Sequence, residues 1–488
     1  MSSGHSRDLS PIFEPKSIAV IGASNNPTKW GWIIPSNILS NGYVGKIYPV
    51  NPKGEEILGL KSYPSLLNVP GDVDLAIIVR PAPSVPQHLE ECVEKGVKAA
   101  IVISGGFRET GEEGERLERE AVRIARRGGV LLVGPNTMGV WSSTVSLSAL
   151  MPPVVPRSGA VALISQSGNI GTNALAFGSE RGIGFSKFVS SGNEADIATE
   201  EYLDYFFRDP QTRVILAYIE GLRDGRRFIE VAKRVTKKKP IIIYKAGRTS
   251  EGARAARSHS GALSGSNRIY DAAFKQCGVL KASTVNELLD LAAAFLLLPL
   301  PRGKRVGILT WGGGYGVVAT DACVEAGLEV PTLPVETIRE LDGYLPPYWS
   351  RGNPVDLVGT FDRSIQPKCL EALVRAENID SVIASGLIVG RESFGAALTN
   401  SQRSDKLGER VADDWLLTAD RKNMDTMAEL IERYGKPIVA VTLTTRAQLT
   451  REAFERKVAA YSSLEGAANV LVKMLEYANF LRCRGAET

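Results

Sequence analysis

The stretch SIAVIGASNNP, residues 17–27, decides the fold of this chain. Its apolar run predicts a buried strand, Gly22 begins a turn, and a helical pattern resumes after Pro27. A strand that passes through such a turn into a helix is the repeating unit of a doubly wound α/β sheet, and the N–H groups at the helix start favour an anion. The stretch indicates a dinucleotide site only weakly, because Ala23 and Ser24 follow Gly22 and no full GxGxxG motif results.

The same alternation of buried strand and amphipathic helix repeats along the whole chain. Short runs rich in valine and isoleucine do not alternate with polar residues, as expected for parallel strands covered on both faces. The predicted strands fall into three groups, at 17–136, 160–247 and 305–445. Proline-rich segments separate these groups at 151–159 and 298–305. We therefore predict an α/β protein with three consecutive doubly wound domains, at 1–150, 151–300 and 301–488.

Composition excludes several other classes of protein. The 488 residues include 58 basic and 54 acidic side chains, so the net charge of +4 creates no field that demands nucleic acid or a membrane surface. The five cysteines are scattered and never spaced as CxxC, which argues against a disulfide framework and a zinc site and predicts buried thiols. No apolar run approaches the ~18 residues of a membrane span. We expect a cytoplasmic protein with no metal site, no nucleic-acid partner and no membrane partner.

The end of the second predicted strand, PVNPKG, distinguishes between nucleotide ligands. Asn51 and Lys53 stand where an NAD site usually has an acidic residue, and a lysine there suits a phosphorylated ribose, as in NADP or the 3′-phospho-ADP of coenzyme A. The turns in VRPAP and VISGGF follow neighbouring strands and would share the crevice; the alternative is a crevice that binds nothing. The residues predicted to bind the ligand are Gly22, Ala23, Ser24, Asn25, Asn26, Lys53, Val79, Arg80, Pro81, Ser104, Gly105 and Gly106.

Two turns in the second group of strands predict a phosphate site. LISQSGNIGTNAL (163–175) and SSGNEADI (190–197) each run from a strand through a turn rich in serine, glycine and asparagine toward a helix. Backbone and hydroxyl donors at two helix starts could hold a phosphoryl group between them, or the serines could be ordinary N-caps. The residues predicted to bind phosphate are Ser165, Gln166, Ser167, Gly168, Asn169, Ser191, Gly192 and Asn193.

One of only three histidines lies in the basic, glycine- and serine-rich stretch RSHSGALSG, residues 257–265. A neutral imidazole can act as a nucleophile at physiological pH, and Lys245, Arg248, Arg254 and Arg257 could accompany a negative group. Glu220, which ends a buried strand in YIEG, could accept a ring N–H of His259 or could be a simple rim residue. The two other histidines are weaker candidates, because His5 is in the N-terminal tail and His88 is on a helix face.

As a set, these motifs resemble the α subunits of the nucleoside-diphosphate-forming acyl-CoA synthetases, of the ADP-forming acetate–CoA ligase type, which are relatives of succinyl-CoA synthetase. The resemblance covers nearly the whole chain and rests on VIGAS, NPK, VRPAP, GPN, SQSGN, SSGNEADI, YIEG, KAGR, SHSGAL and NPVDLVG. It implies a Rossmann-like CoA-binding domain followed by two flavodoxin-like ligase domains, and it adds Asn136 of GPN to the CoA site. It also assigns the phosphorylated histidine of that family to His259 and the supporting glutamate to Glu220.

The resemblance implies that the chain interconverts acyl-CoA, ADP and phosphate with a small carboxylic acid, CoA and ATP. Phosphate attacks the thioester to give an acyl phosphate, His259 takes the phosphoryl group, and its loop carries that group to a nucleotide site. The sequence shows no ATP-grasp domain. ADP or ATP with Mg²⁺ is therefore expected on a partner, an ATP-grasp β subunit, in an α2β2 assembly.

Two other functions stay open at this stage. A non-catalytic CoA-binding regulatory or scaffold protein could have the same fold, although it would not need the intact SHSGAL motif. An NADP-dependent oxidoreductase is less consistent with the sequence, because no proton-transfer pair accompanies the first crevice. The third predicted domain begins with TWGGGYG, where the family tends to have a turn rich in asparagine and glycine, so Trp311 and Tyr315 depart from the pattern.

Overall fold

The computed structural model describes residues 7–252, 254, 266–360, 362–389, 406–442 and 447–484, and for residues 406–416 and 447 it gives the backbone alone. The chain divides into two compact units. The first unit contains the residues up to Ser179 together with Gly184–Leu288, and the second contains Glu180–Ile183 together with the chain from Leu289 onward. Of the three sheets formed by the described residues, two belong to the first unit and one to the second.

Five parallel strands form the first sheet, in the order β2-β1-β3-β4-β5. They are β1 (Ser17–Ile21), β2 (Lys46–Val50), β3 (Leu75–Ile78), β4 (Ala99–Val102) and β5 (Leu131–Val133). The helices of this region are α1 (Ser10–Phe13), α2 (Trp30–Ser40), α3 (Val85–Lys95) and α4 (Glu112–Arg127). Every residue of β1, β3 and β4 is buried, which confirms the prediction of strands covered on both faces.

Seven strands form the second sheet, in the order β12-β11-β10-β8-β9-β6-β7. They are β6 (Gly139–Ser142), β7 (Leu147–Leu150), β8 (Ser158–Ser165), β9 (Phe185–Ser190), β10 (Val214–Ile219), β11 (Ile241–Lys245) and β12 (Leu280–Ala282). The helices are α5 (Gly168–Glu180), α6 (Thr199–Arg208), α7 (Gly225–Val235), α8 (Asn267–Cys277) and α9 (Val285–Leu297). The antiparallel strands β6 and β7 precede the predicted boundary at 150 but are hydrogen-bonded to the second sheet through β9. The division into three domains stays a prediction.

The second unit contains a third parallel sheet, in the order β14-β13-β15-β16-β17. Its strands are β13 (Val306–Thr310), β14 (Val355–Asp356), β15 (Ser381–Ser385), β16 (Ile438–Val441) and β17 (Ala459–Tyr461). Its helices are α10 (Gly313–Glu325), α11 (Val335–Asp342), α12 (Ile365–Arg375), α13 (Lys406–Tyr434), α14 (Ala447–Glu455) and α15 (Leu464–Cys483).

The parallel strands of all three sheets share one winding. Numbered locally in chain order, the five parallel strands of each sheet are arranged 2-1-3-4-5. Strand 2 is added on one side of strand 1 and the later strands on the other, so the strand order reverses between strands 1 and 3. Ligands of doubly wound proteins bind at this reversal, outside the carboxyl ends of the strands. The crevices to inspect therefore follow β1 and β3 in the first sheet, β8 and β10 in the second, and β13 and β15 in the third.

The cysteines are free thiols, and all but one are buried. Cys483 is exposed, so the expectation of buried thiols is wrong for this residue. Within the described ranges, no group of histidine, cysteine and acidic side chains could hold a metal ion. In the same part of the chain, we find no helix with the length and apolar character that a membrane span requires.

Candidate active site

In the first sheet, the turns after β1 and β3 pack against each other. A Cβ on Gly22, whose φ is +94°, would lie 2.4 Å from the carbonyl oxygen of Val79 and 2.9 Å from Cδ of Arg80, so only glycine fits. The N–H groups of Gly22 and Ala23 donate to the carbonyl oxygen of Val50 at 3.0 and 3.2 Å. The two turns therefore form one crevice as predicted, but their backbone donors at residues 22 and 23 serve the sheet.

Other polar groups of this crevice can reach a ligand. Lys53, Arg80 and the neighbouring Pro81 are exposed at the carboxyl ends of β2 and β3. Asn51 holds in place the turn after β2 that carries Lys53. Its side-chain amide donates to the carbonyl oxygen of Ala23 at 2.7 Å, and its side-chain oxygen accepts from the Lys53 N–H at 2.9 Å. This edge of the sheet therefore offers two cationic side chains to an anionic nucleotide.

The residues between β1 and α2 mainly shape the turn. The hydroxyl of Ser24 accepts from the Asn26 N–H at 3.1 Å, and the Asn26 side chain accepts from the N–H and hydroxyl of Thr28 at 3.0 and 2.7 Å. Asn25 is exposed and donates to the carbonyl oxygen of Glu56 at 2.8 Å. These side chains fix the entry to α2 rather than point freely toward a ligand.

In the second sheet, Gln166 ties together the turns after β8 and β10. Its side-chain oxygen accepts from the N–H groups of Glu220 and Gly221 at 2.6 and 3.1 Å, and its amide donates to the Gly221 carbonyl at 2.8 Å. Its own N–H donates to the carbonyl oxygen of Tyr218 at 3.1 Å. The predicted phosphate ligand Gln166 is therefore the residue that positions Glu220.

Glu220 lies in a buried, electrostatically coupled setting. It is 4% exposed, and the neighbouring strand β11 ends in Lys245, which is fully buried. The ammonium of Lys245 donates to the Ala246 carbonyl at 2.5 Å and lies 4.8 Å from the centre of the Tyr270 ring. Burial lowers the pKa of Lys245, and the negative charge of Glu220 partly opposes that shift. The carboxylate thus lies within the field of a buried cation at the reversal point of the sheet.

The N-terminus of α5 lies at the same reversal point. Its first turn comprises Gly168, Asn169 and Ile170, whose N–H groups have no intrahelical partner, and Asn169 is exposed. The hydroxyl of Ser165 is buried and donates to the Ser167 carbonyl at 2.5 Å, so it shapes the turn. A 13-residue helix that begins with open N–H groups is suited to bind an anion.

The second predicted phosphate turn differs from the first. The helix does not begin after SSGN but at Thr199, whose N–H and hydroxyl donate to the buried carboxyl of Glu194 at 3.2 and 2.7 Å. The Ser191 hydroxyl donates to the same carboxyl at 2.8 Å. The N–H groups of Ser191 and Asn193 donate to backbone carbonyls at 2.8 and 3.0 Å. The phosphate role of residues 191–193 stays a prediction, and these donors are already engaged.

One junction connects the first and second sheets. The carboxylate of Glu109 accepts from the N–H groups of Gly106 and Phe107 at 2.6 and 3.1 Å and from the Asn193 amide at 2.6 Å. Asn136, with a φ of +59°, donates to the Asn193 side-chain oxygen at 3.4 Å. The predicted CoA turn after β4 and the predicted phosphate turn after β9 are therefore joined directly.

Sequence reasoning missed this role of Glu109. A usable signal was present, because a glutamate three residues after Gly106 has the spacing of a capping box, in which a carboxylate reaches back to an N–H group.

Ser104 was predicted as a ligand residue, and its hydroxyl is buried without a hydrogen-bond partner among the described residues. Gly105 is exposed beside it.

The predicted nucleophile His259 lies outside the described residues, as do Arg257 and His5. Its predicted partner Glu220 is described and occupies the reversal point. His88 is half-buried on α3, where burial lowers the pKa of its imidazole.

The atypical turn of the third sheet is also at a reversal point. The N–H of Trp311 donates to the Ser385 carbonyl at 3.2 Å, and its indole donates to the Thr360 carbonyl at 3.1 Å. A Cβ on Gly386 would lie 2.7 Å from Cβ of Trp311. Trp311 thus fastens the turns after β13 and β15, and α10 begins two residues later with Gly313.

Comparison with known proteins identifies all three regions. Family models match a CoA binding domain at residues 16–142, a succinyl-CoA ligase like flavodoxin domain at 158–295 and a ligase-CoA domain at 306–415. The α subunit of acetate–CoA ligase [ADP-forming] I from Pyrococcus furiosus is 49% identical over 76% of this chain and 81% of that protein. The 4-hydroxybutyrate–CoA ligase [ADP-forming] from Nitrosopumilus maritimus is 36% identical over 97% of this chain and 65% of that protein.

A solved structure is similar over almost the whole chain. The dinucleotide forming acetyl-coenzyme A synthetase 1 of Candidatus Korarchaeum cryptofilum, in complex with phosphate and ADP, superposes with a TM-score of 0.84 at 35% identity, covering 99% of this chain and 100% of that one. The three domain matches, the level of identity and the shared fold agree with one another. The chain therefore belongs to the family of ADP-forming acyl-CoA ligases, as a member of the acetate–CoA ligase α-subunit type, and is an acid–thiol ligase.

Proposed function

We propose that the chain converts acyl-CoA and phosphate to an acyl phosphate and then transfers the phosphoryl group through His259. The observation that carries this proposal is the position of Glu220. Its backbone N–H donates to the side chain of Gln166, which lies in the turn two residues before α5 begins. A carboxylate that can orient an imidazole and a helix start that can hold a phosphate thus occupy the same reversal point. This arrangement supports phosphoryl transfer to a histidine.

The chemistry assigned to each group follows from its setting. An oxygen of phosphate attacks the thioester carbonyl, and the bond from that carbon to the CoA sulfur breaks. The N–H groups at the α5 start, at Gly168 and Asn169, stabilise the phosphate charge before and during transfer. A ring nitrogen of His259 then bonds to phosphorus, the bond from phosphorus to the acyl oxygen breaks, and the carboxylate leaves with the electron pair. Glu220 accepts a hydrogen bond from the other ring N–H and stabilises the charge that develops on the ring.

We assign CoA to the crevice of the first sheet. Lys53 and Arg80 supply cationic side chains for its phosphates, and the turn at Ser104–Gly106 lies beside the path of its pantetheine arm. The unpartnered hydroxyl of Ser104 fits this role, because a buried polar group without a partner is costly unless a ligand satisfies it. The junction at Glu109 would bring the reactive end of that arm toward the second sheet.

The acceptor of the phosphoryl group is proposed to be ADP on an ATP-grasp β subunit with Mg²⁺, in an α2β2 assembly in the cytoplasm. The name of the P. furiosus relative as an α subunit supports a separate partner chain. The N. maritimus ligase, of which this chain covers 65%, also contains sequence beyond the matched part. The proposed acyl substrate is a small carboxylic acid.

His259→Ala tests the proposal most directly. With the partner chain, ATP labelled at its terminal phosphate should mark the wild-type chain with acid-labile, base-stable label at residue 259. The variant should lose this label and at least about 10⁴-fold of its turnover, while CoA binding measured by calorimetry should not change. His88→Ala is the matched control and should retain both label and turnover. Label on a serine of 165–167, or an active His259→Ala enzyme, would contradict the mechanism.

A further inference from the structure

The carboxylate of Glu109 bridges two loops that belong to different sheets. One oxygen accepts from the N–H groups of Gly106 and Phe107, at 2.6 and 3.1 Å, in the glycine turn after β4. The other oxygen accepts from the Asn193 amide, at 2.6 Å, in the turn after β9. Both loops follow the carboxyl ends of parallel strands, where the ligands of such sheets bind. The Glu109 side chain therefore ties the glycine turn of one crevice to the turn beside the other.

The far end of this bridge is held rigidly. Asn193 is 3% exposed, and its amide also donates to Glu118 at 2.8 Å. Its backbone carbonyl oxygen accepts from the guanidinium groups of Arg108 and Arg223 at 2.9 and 2.8 Å. The Asn193 side chain cannot rotate without breaking its hydrogen bonds to Glu109 and Glu118, and its backbone is held by two arginines, so it transmits the position of Glu109 to the turn after β9.

The charge of Glu109 is also maintained. Burial would raise the pKa of this carboxyl, but the hydrogen bonds from Asn193, Phe107 and Gly106 outweigh burial and hold the pKa below its ordinary value. An ionised carboxylate accepts hydrogen bonds at both oxygens, and hydrogen bonds to a charged acceptor are stronger than neutral ones. Neither glutamine nor protonated glutamic acid can accept from both loops in the same way.

We propose that Glu109 is a positioning residue for acyl transfer between phosphate and CoA, because it fixes the glycine turn of the CoA crevice against the turn beside the phosphate crevice. This inference rests on the proposed function. In the transfer step, the CoA sulfur bonds to the acyl carbon of the acyl phosphate. The bond between that carbon and the oxygen of the phosphate group breaks. Phosphate leaves with the electron pair, and the thiol proton passes to solvent. Glu109 touches neither reactant and acts through the loops that it joins.

The test compares Glu109→Gln with Glu118→Gln in the enzyme assembled with its partner chain. Glu118 is the matched control, because it accepts from the same Asn193 amide but no N–H of the glycine turn donates to it. It is more deeply buried than Glu109 and also pairs with Arg108. The assay follows thioester formation from CoA and the acyl phosphate of the acid that the wild-type enzyme uses best, without nucleotide. Calorimetry with CoA and thermal unfolding accompany it.

We expect Glu109→Gln to lower the turnover number of this step about 100-fold while the dissociation constant of CoA changes less than threefold, since small misplacements of reacting groups have effects of this size. Glu118→Gln should lower turnover less than fivefold. Equal losses in both variants would assign Glu109 a merely structural role, and a loss confined to CoA affinity would make it a ligand residue; either result overturns the proposal.

Folding and function are separated by two further measurements. If Glu109→Gln does not unfold cooperatively, Glu109→Asp replaces it, because the shorter carboxylate keeps the charge but cannot reach both loops; the same selective loss is expected. A wild-type enzyme that makes thioester from acyl phosphate but never carries label on His259 would contradict the phosphohistidine relay, and the comparison of Glu109 with Glu118 would still decide this inference.

Discussion

The helices α5 and α6 belong to the same sheet and follow the neighbouring strands β8 and β9, but their N-termini are in opposite situations. The start of α5, at Gly168 and Asn169, offers N–H groups without intrahelical partners. At the start of α6, the N–H and hydroxyl of Thr199 already donate to the buried carboxyl of Glu194. Two further carboxyls, Glu200 and Glu201, occupy the first turn of α6. The start of α5 is therefore open to an anionic ligand, whereas a carboxyl group of the protein itself already occupies the start of α6.

This difference shows how to separate a binding turn from a structural one. Both turns are rich in serine, glycine and asparagine, so composition makes them equal candidates for phosphate. The N-terminus of a helix favours any anion, and a carboxylate of the protein itself satisfies it as well as a ligand does. The acidic residue at position 194, four residues after β9, therefore favours α5 over α6 as the phosphate site, and the role of residues 191–193 stays a prediction to be tested.

The largest expected effect concerns the carboxyls around the α6 start. Burial raises the pKa of Glu200 from its ordinary 4.5 to about 7, and the charge of Glu194 adds to the shift. The folded state then holds this proton more tightly than the unfolded state, so the associated stability is full below pH 4.5 and is lost as pH rises through about 7. The shift corresponds to about 3 kcal/mol in the free energy of unfolding.

Glu200→Gln should remove most of this pH dependence. Urea unfolding of the wild type should become easier between pH 5 and pH 8, and the variant should show a flatter profile over that range. Glu201→Gln is the control, because the Glu201 carboxylate is paired with Arg7 at 2.8 Å and its loss should lower stability at both pH values. Equal slopes for the wild type and Glu200→Gln would show that the α6 start is not a titrating anionic site.

A somewhat smaller effect is expected when α5 is made to resemble α6. Ser167→Asp places a carboxylate beside the α5 N-terminus, where it should repel phosphate and satisfy the same N–H groups. Like charges about 4 Å apart near a protein surface repel by a few kcal/mol, so kcat/KM for phosphate should fall about 100-fold. Initial rates at varied phosphate concentration measure this, and thermal stability should be retained because an acid at a helix start is favourable.

Two variants serve as controls for the α5 prediction. Ser167→Ala removes the hydroxyl without adding charge and should change kcat/KM for phosphate less than about fivefold, as expected for loss of one hydrogen bond. Ser191→Ala, at the turn before α6, should lower stability through its lost bond to Glu194 but leave phosphate kinetics intact. A normal Ser167→Asp enzyme together with a phosphate defect in Ser191→Ala would move the phosphate site to residues 191–193.

Much of the architecture could be predicted from sequence. Buried strands such as β1 and β10 are continuous apolar runs, and glycine turns such as Gly22 mark the reversal points, because local sterics and burial dictate both. Strands β6 and β7 were missed because they are short, and β6 joins the sheet through β9, which lies more than 30 residues further along the chain. Pairing over such a distance leaves no periodic signal in the local sequence.

The candidate site was predictable in position but not in detail. The crevices follow from strand order, which local patterns imply, and Glu220 lies where its strand ends. The partners of individual side chains depend on tertiary contacts, so Gln166 and Asn193, predicted to bind phosphate, were found to hold loops together. A hydrogen-bonding residue type indicates what a side chain can do, and burial decides whether a ligand or the protein receives its hydrogen bonds.

The smallest expected effect tests the first crevice, where side chains rather than a helix start are proposed to hold the anion. Lys53 is exposed at the end of β2, so its contact with a ribose phosphate would be partly screened. We expect Lys53→Ala to weaken CoA binding about tenfold, or roughly 1.4 kcal/mol, and to leave phosphorylation of His259 unchanged.

A matched ligand makes the Lys53 measurement specific. Calorimetry with CoA and with 3′-dephospho-CoA, on the wild type and on Lys53→Ala, forms a thermodynamic cycle. The contact between Lys53 and the 3′-phosphate is removed from the protein side in one step and from the ligand side in the other, so the cycle isolates its free energy. The tenfold loss should appear with CoA and vanish with 3′-dephospho-CoA, and it should shrink at high salt because an exposed charge pair is screened. Lys61→Ala, an exposed lysine of the same loop, should bind both ligands normally. Equal losses for both ligands would place the lysine away from the ribose phosphate, and tighter binding of NADP than of CoA would contradict the assignment of this crevice to CoA.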